Sequence, residues 1–134
     1  MNRYVVDTQC LVWYLGKDRH LPRAARAVFD SAKEGRVQIL VPSIVLVETL
    51  FLVQRQRISE AIADELILLP ETSDSAIYVV PLDMSVVRSM RDFGPAAVAE
   101  MADRVIAATA RSLSLPLLTV DHAIAASGLV EVIG

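Results

Sequence analysis

Short runs of consecutive apolar residues, separated by segments of helical character, constrain the fold of this chain more than any other feature. The runs predict β-strands at residues 4–6, 37–41, 77–80, 117–120 and 129–133. Strands that are apolar along their whole length, rather than at alternate positions, are typical of a parallel sheet covered on both faces. We therefore expect an α/β protein, a three-layer α/β/α sandwich with a central and mostly parallel sheet.

Helices are predicted between these strands from apolar spacing, capping residues and Pro or Gly boundaries. The predicted ranges are 11–15, 22–35, 43–56, 59–69, 83–91, 98–113 and 121–128. Four residues are predicted to be N-caps because their side chains can accept a hydrogen bond from the helix backbone: Ser43, Ser59, Asp83 and Asp121. In folds of this kind, ligands bind at the carboxyl ends of the strands.

Composition excludes several classes of protein. The chain has 134 residues without repeats or linker-like stretches, which predicts a single domain over residues 1–134. Apolar residues make up 54%, too many for a disordered chain, and the single cysteine, Cys10, excludes a disulfide scaffold and a cysteine-based zinc site. No apolar run is long enough to span a membrane and no signal segment is evident, so we expect a cytoplasmic protein. The net charge of −3 gives no general attraction to nucleic acid.

Two acidic residues directly follow predicted strands. Asp7 comes after the first apolar run and Asp121 after the fourth, so both belong to the edge of the sheet where ligands gather. A structural role explains each of them as well, because aspartate is one of the preferred N-cap residues of helices. Both explanations stay open on the sequence alone.

Glu48 lies in surroundings that are unusual for a charged side chain. It is the only acid in the apolar segment SIVLVETLFLV, where an unpaired carboxylate would be costly to bury. Either a cation or a groove faces this carboxylate, or it forms a buried salt bridge with an arginine.

Asp103 lies on a helix whose neighbouring side chains are small. Three alanines share its predicted face, at Ala99, Ala107 and Ala110, and they leave room for a pocket around the carboxylate. The alternative is an ordinary solvated acid that pairs with Arg104 or another neighbour.

Taken together, the four carboxylates match the ligands that Mg²⁺ or Mn²⁺ prefers, since hard cations bind oxygen and usually retain several waters. Without a cation, clustered carboxylates repel one another and the pKa of some of them rises. Two hydroxyls lie beside them in sequence, because Thr8 follows Asp7 and Thr119 lies two residues before Asp121. Both are candidates for orienting a carboxylate or a metal-bound water, although helix capping and strand propensity explain the two threonines equally well. We expect a site for one or two divalent ions.

Three segments in order, VVDTQCLVWYL, PSIVLVETLFLV and ADRVIAATARSLSLPLLTVDHAI, resemble the PIN-domain ribonucleases, most of all the VapC toxins of bacterial toxin–antitoxin systems. The resemblance covers nearly the whole chain. It implies RNA cleavage dependent on Mg²⁺ or Mn²⁺, a homodimer, and inhibition by a cognate antitoxin. It also assigns the metal-binding and catalytic positions to Asp7, Glu48, Asp103 and Asp121, and the supporting hydroxyls to Thr8 and Thr119. Many relatives carry a polar or basic residue where this chain has Val120.

Other functions fit the residues less well. An aspartyl-phosphate phosphatase needs a second acid where Gln9 stands, and a response-regulator receiver needs a late lysine, whereas no lysine follows Lys33. Two alternatives remain: a PIN-domain RNA-processing nuclease outside a toxin–antitoxin pair, and a non-catalytic PIN-like module that binds RNA or protein. The presence of all four acids argues against the second of these.

Two further groups of residues have weaker assignments. Four arginines are candidate contacts for RNA phosphates, although a solvated helix face is the default explanation for them: Arg19, Arg23, Arg55 and Arg57. Four aromatic residues are expected in the core or at a partner interface rather than as platforms for base stacking: Trp13, Tyr14, Phe51 and Phe93.

Overall fold

The central sheet has the predicted parallel arrangement. The computed structural model describes residues 2–71 and 76–134, and residue 1 and residues 72–75 of the predicted domain lie outside these ranges. Within the described residues the sheet has five strands: β1 (Asn2–Val6), β2 (Val37–Pro42), β3 (Ile77–Val80), β4 (Leu117–Leu118) and β5 (Val132–Ile133). Their order is β3-β2-β1-β4-β5, and every pairing is parallel. The predicted fold class is confirmed.

Helices cover both faces of the sheet. Consecutive strand residues point to opposite faces, and the pairs Val5–Val6 and Leu117–Leu118 are fully buried, so neither face meets solvent there. The helices are α1 (Thr8–Leu15), α2 (Arg23–Lys33), α3 (Ser43–Gln54), α4 (Glu60–Leu68), α5 (Met84–Met90), α6 (Met101–Leu113) and α7 (His122–Ser127). Among the described helices, none has the length and apolar character that crossing a membrane requires.

Aspartates begin three of the helices, and each accepts a hydrogen bond from the backbone of the first turn. Asp7 caps α1 through the N–H of Cys10 (2.8 Å), Asp83 caps α5 through Val86 (3.1 Å), and Asp121 caps α7 through Ile124 (3.0 Å). The predicted caps at Asp83 and Asp121 are therefore confirmed, and Asp7 is a cap as well. Capping uses one oxygen of each carboxylate and leaves the other free for a second partner.

The serine caps differ from the prediction. Ser43 is the first residue of α3 rather than its N-cap. The N-cap residue is Pro42. Ser59 does precede α4, but its side chain makes no capping hydrogen bond. Helix α3 ends at Gln54 instead of residue 56, because Gln56 adopts a left-handed backbone conformation with φ of 60° that stops the helix.

Helix α6 begins three residues later than predicted, at Met101. The segment before it is held in a non-helical conformation by the Arg104 side chain, which donates to the carbonyls of Val98 (2.8 Å), Gly94 (3.0 Å) and Pro95 (3.2 Å). Ala99 therefore does not share a helix face with Asp103. The alternative explanation of Asp103, an ion pair with Arg104, is also wrong, because the guanidinium donates to these carbonyls.

The last two strands are shorter than predicted. Thr119 still donates its backbone N–H to the Ile133 carbonyl (3.1 Å), but the chain then turns into α7 at Asp121. At the other end of α7, Gly128 has φ of 69° and ends the helix, so β5 does not begin until Val132.

The strand order creates a crevice at the carboxyl ends of β1 and β4. The chain runs from β1 outward through β2 to β3 and then crosses to β4 on the other side of β1. Such a reversal separates the connections that follow β1 and β4 and leaves a crevice at their carboxyl ends. Val6 pairs with Leu118, so Asp7 and Thr119, the next residue of each strand, lie side by side at this crevice.

We predict that Arg104→Ala destabilises the fold, since it removes three hydrogen bonds that a charged group donates to backbone carbonyls. The expected loss is about 1–2 kcal/mol, measured as a shift of the urea unfolding midpoint. Arg104→Lys should recover little of it, because one ammonium cannot replace the guanidinium fork. Arg88→Ala, at an exposed position of α5, is the matched control. Equal midpoints for Arg104→Ala and Arg88→Ala would contradict the role of Arg104.

Candidate active site

All four predicted acids line one cavity at the carboxyl ends of β1 and β4. The cavity measures about 230 Å³, and its lining consists of Asp7, Thr8, Gln9, Glu48, Leu52, Asp103, Val120 and Asp121. The acids come from four different parts of the chain: the end of β1, helix α3, the first turn of α6 and the start of α7. The fold therefore concentrates negative charge at a single crevice.

Asp7 is held in place from both sides of its carboxylate. The residue is only 7% exposed. One oxygen, Oδ1, accepts from the Cys10 backbone N–H (2.8 Å), and Oδ2 accepts from the Thr119 hydroxyl (2.5 Å). Burial raises the pKa of Asp7 above its ordinary value, the hydrogen bonds from Thr119 and Cys10 oppose the rise, and the charge of Asp121 adds to it.

Thr119 joins two of the acids through one hydroxyl group. Its side chain is fully buried, donates to Asp7 and accepts from the backbone N–H of Asp121 (3.1 Å). Asp121 in turn uses Oδ1 to cap α7. The positions of Asp7 and Asp121 are therefore coupled through the peptide segment that follows β4.

Glu48 is oriented by a hydroxyl as well. The Thr8 side chain, in the first turn of α1, donates a short hydrogen bond to Oε1 of Glu48. Ion pairs in the described part of the chain link His20 to Asp18, Arg36 to Glu34 and Arg111 to Asp92, and none involves Glu48. A buried salt bridge to an arginine is therefore the wrong explanation for this acid.

Asp103 is the carboxylate of the four that lacks a hydrogen-bond partner among the described residues. It is half-buried, and in residues 2–71 and 76–134 its carboxylate has neither a hydrogen bond nor an ion pair. Burial, followed by the charges of Asp121, Glu48, Asp7 and Glu100, raises its pKa from 3.8 to about 6. A nearby cation would favour the charged form of this carboxylate.

The residues fit a hard divalent cation. Every titratable side chain in the cavity lining is a carboxylate, and Thr8 and Gln9 add neutral oxygens. Among the described residues no three His, Cys, Asp or Glu side chains already form a set that could hold an ion. Mg²⁺ does not require such a set, because it is usually bound by one or two carboxylates together with waters and substrate phosphates.

The candidate RNA contacts lie outside this cavity. Arg19, Arg23, Arg55 and Arg57 are all exposed. Arg57 lines a neighbouring cavity, whereas Arg55 lies over the ring of Phe51 at 5.9 Å from its centroid. Arg19 and Arg23 line neither of the two cavities.

Three residues of the lining were not among the sequence candidates: Gln9, Leu52 and Val120. Gln9 follows Thr8 directly, and Leu52 lies one helical turn beyond Glu48, so spacing from the predicted acids was a signal for both. Their proximity in space depends on how α1 packs against α3, which local sequence does not reveal.

Comparison with known proteins gives the family. A model of the PIN domain matches residues 4–127, and the chain belongs to the PIN-domain family. A search of curated protein sequences finds no significant match.

Solved structures show the same fold. VapBC2 from Rickettsia felis, bound to a DNA fragment from its promoter, has a TM-score of 0.73 at 16% identity, covering 97% of this chain and 96% of that one. VapC20 from Mycobacterium tuberculosis, described as a sarcin–ricin loop cleaving toxin, has a TM-score of 0.69 at 17% identity, covering 98% and 99%. FitAcB from Neisseria gonorrhoeae has a TM-score of 0.66 at 22% identity, covering 98% and 96%.

We predict that Asp103→Asn stabilises the metal-free protein near neutral pH. Because the pKa in the folded protein, about 6, lies above the ordinary 3.8, folding favours the protonated carboxyl. That stabilisation is present below the ordinary pKa and is lost as the pH rises through the folded-state pKa. An amide carries no charge, so the variant escapes this loss.

The measurement is urea unfolding in EDTA at about pH 4 and about pH 7.5. At the higher pH the variant should gain about 1 kcal/mol, a figure that allows for the partial exposure of Asp103, and at the lower pH close to nothing. Asp64→Asn, at an exposed site on α4, is the control. A variant that is less stable than the wild type at both pH values would contradict the idea of a strained charge.

Proposed function

We propose that the protein is a VapC-type toxin, a metal-dependent ribonuclease that hydrolyses RNA phosphodiester bonds and is inhibited by a cognate antitoxin. The observation that carries this proposal is the convergence of Asp7, Glu48, Asp103 and Asp121 on one cavity at the switch point of a PIN-domain sheet. The fold shared with toxin structures, among them VapC20, supports the choice of RNA as substrate. We propose a single domain over residues 1–134 and a cytoplasmic location.

The four carboxylates would hold one or two ions of Mg²⁺ or Mn²⁺. A bound divalent ion neutralises charge on the scissile phosphate and makes water more acidic. The chain's own contribution is to fix the ligands: Thr119 holds Asp7 and the start of α7, and Thr8 holds Glu48. Asp103, which lacks such a partner among the described residues, is free to adjust to the ion and the substrate.

Water is the proposed nucleophile, since the described lining of the cavity offers no suitable side chain. It contains no Ser, Cys, His or Lys, and the Thr8 hydroxyl already donates to Glu48. Cys10 is fully buried behind Asp7, and burial together with the negative charge of Asp7 raises the pKa of its thiol. A thiol in that state is not a nucleophile.

Exposed apolar side chains favour protein partners. Helix α3 is apolar on its outward side, where Val47, Leu50 and Phe51 are 47%, 41% and 55% exposed. Exposed apolar residues grouped in this way mark protein interfaces. We propose that a second copy of the chain and the antitoxin cover such surfaces, as in a homodimeric toxin. Several similar structures are described as toxin–antitoxin complexes or as complexes of both partners with DNA.

We predict that the protein, freed of any partner, cleaves RNA in the presence of Mg²⁺ or Mn²⁺ and stops in EDTA. Asp7→Asn should lower the cleavage rate by about 100-fold or more, because a neutral amide is a poor ligand for a hard cation. The fold should survive, since an asparagine still accepts the capping hydrogen bond from Cys10. Gel-based cleavage assays and circular dichroism measure the two effects.

Asp83→Asn is the matched control, because Asp83 caps α5 in the same way but does not line the acidic cavity. It should cleave RNA at the wild-type rate. Cleavage that continues undiminished in EDTA would contradict a metal-dependent mechanism. If Asp7→Asn cleaves RNA at the wild-type rate, Asp7 acts only as a helix cap and not as a metal ligand.

A further inference from the structure

A second and larger cavity adjoins the acidic one. It measures about 500 Å³ and lies between α1, the turn at residues 57–59 and the first part of α4. The two cavities share Thr8, Gln9 and Leu52, so a ligand can extend from one into the other. When one phosphate of an RNA strand lies at the acids, the larger cavity is therefore next to the adjacent part of that strand.

The larger cavity combines apolar walls with a polar rim. Val12, Ile58 and Ile62 are half-buried and form the walls, whereas the rim is exposed and includes Gln9 and Arg57. Pockets of this composition and size are typical of sites for flat organic groups with polar edges. A nucleobase has this character.

Trp13 provides an aromatic surface in the cavity. It is half-buried and packs against the core, but unlike Phe93 it also lines the cavity. The His20 ring stacks on the indole at a centroid distance of 6.0 Å and an angle of 28°. His20 is held in turn by the Asp18 carboxylate, which accepts from its backbone N–H (2.8 Å) and contacts its Nδ1 (2.7 Å). The indole therefore packs against the core and against the His20 ring.

Arg57 supplies positive charge beside these aromatic and apolar groups. It is exposed and takes part in no ion pair within the described ranges, 2–71 and 76–134. When one phosphate of an RNA strand lies at the acidic cavity, a guanidinium in this position can contact the next phosphate of the same strand.

The distance of Trp13 from the acidic cavity follows from the geometry of α1. Trp13 lies five residues beyond Thr8, which is about 7.5 Å along the helix axis.

We propose that this cavity is a nucleotide subsite, which binds the base next to the scissile phosphate by stacking on Trp13. Gln9 hydrogen-bonds the edge of that base and Arg57 contacts an adjacent phosphate. RNA cleaved in single-stranded regions offers unstacked bases for such a pocket. The inference rests on the proposed ribonuclease function and adds a site that governs which nucleotides are accepted.

A direct test uses the fact that Trp13 is the only tryptophan of the chain. Its fluorescence is followed while AMP or UMP is added to the full-length protein with Mg²⁺; mononucleotides contain no internucleotide bond to cleave. Saturable quenching is expected with either nucleotide and none with ribose 5-phosphate, which lacks a base. Absence of nucleotide-dependent quenching would overturn the proposal and leave the cavity to a protein partner.

A kinetic test uses cleavage of a short single-stranded RNA. Trp13→Ala should raise KM about tenfold, with a smaller change in kcat, because a stacked base is lost from the bound substrate. Trp13→Phe should recover most of the affinity, since it retains an aromatic face. Tyr78→Ala, at an exposed site on the edge strand β3, is the aromatic control and should leave KM unchanged.

Arg57 gives an independent test that does not depend on the core packing of Trp13. Arg57→Ala should raise KM and lower the slope of log KM against log salt by about one, as expected for the loss of one phosphate contact. Arg3→Ala is the control, because Arg3 lies at the opposite end of β1 from Asp7. Wild-type salt dependence in Arg57→Ala would remove Arg57 from the site.

Failure of this inference is distinguishable from failure of the proposed function. If the wild type cleaves no RNA under any condition, the ribonuclease proposal fails, while the mononucleotide titration still decides whether the cavity binds a base. If the wild type cleaves RNA and Trp13→Ala has the wild-type KM, the subsite alone is wrong.

Discussion

The hydrogen bond from the Thr119 hydroxyl to the Asp7 carboxylate ties together the two strands on which the candidate site is built. It links the end of β1 to the end of β4, and the same oxygen accepts the backbone N–H of Asp121. Strand order alone brings β1 and β4 side by side, but this buried hydroxyl sets the distance and direction of the two acids. Glu48 and Asp103 then enter from helices that pack around the same point.

This arrangement has an electrostatic cost that is informative about function. A protein selected only for stability gains nothing from four carboxylates around one cavity, since their repulsion favours protonation. The raised pKa values of Asp7 and Asp103 arise first from burial and then from the charges of neighbouring carboxylates. Hydrogen bonds from Thr8, Thr119 and the Cys10 backbone reduce the cost without removing the charges. A cation removes it, which is why we regard the cluster as a metal site.

Sequence predicted the parallel sheet and the four acids of the cavity, but it missed features that depend on particular contacts between distant residues. The strand at 77–80 and the caps at Asp83 and Asp121 follow from patterns of neighbouring residues. The start of α6 was missed because Arg104 reaches back six to ten residues to hold a non-helical segment. The surface formed by Trp13 was missed because a tryptophan in an apolar run is usually core, and only the packing of α1 beside α4 opens a cavity at it.

The most direct measurement of the central claim is thermal unfolding of wild type and Glu48→Gln, each in EDTA and in Mg²⁺. Glutamine keeps the oxygen that accepts from Thr8 but removes one charge from the cluster. If Glu48 is a metal ligand, the variant melts at the same or a higher temperature in EDTA and loses most of the rise that Mg²⁺ gives the wild type. Glu65→Gln, at an exposed position of α4, should behave like the wild type. A variant that melts lower in EDTA and keeps the full rise with Mg²⁺ would contradict the account.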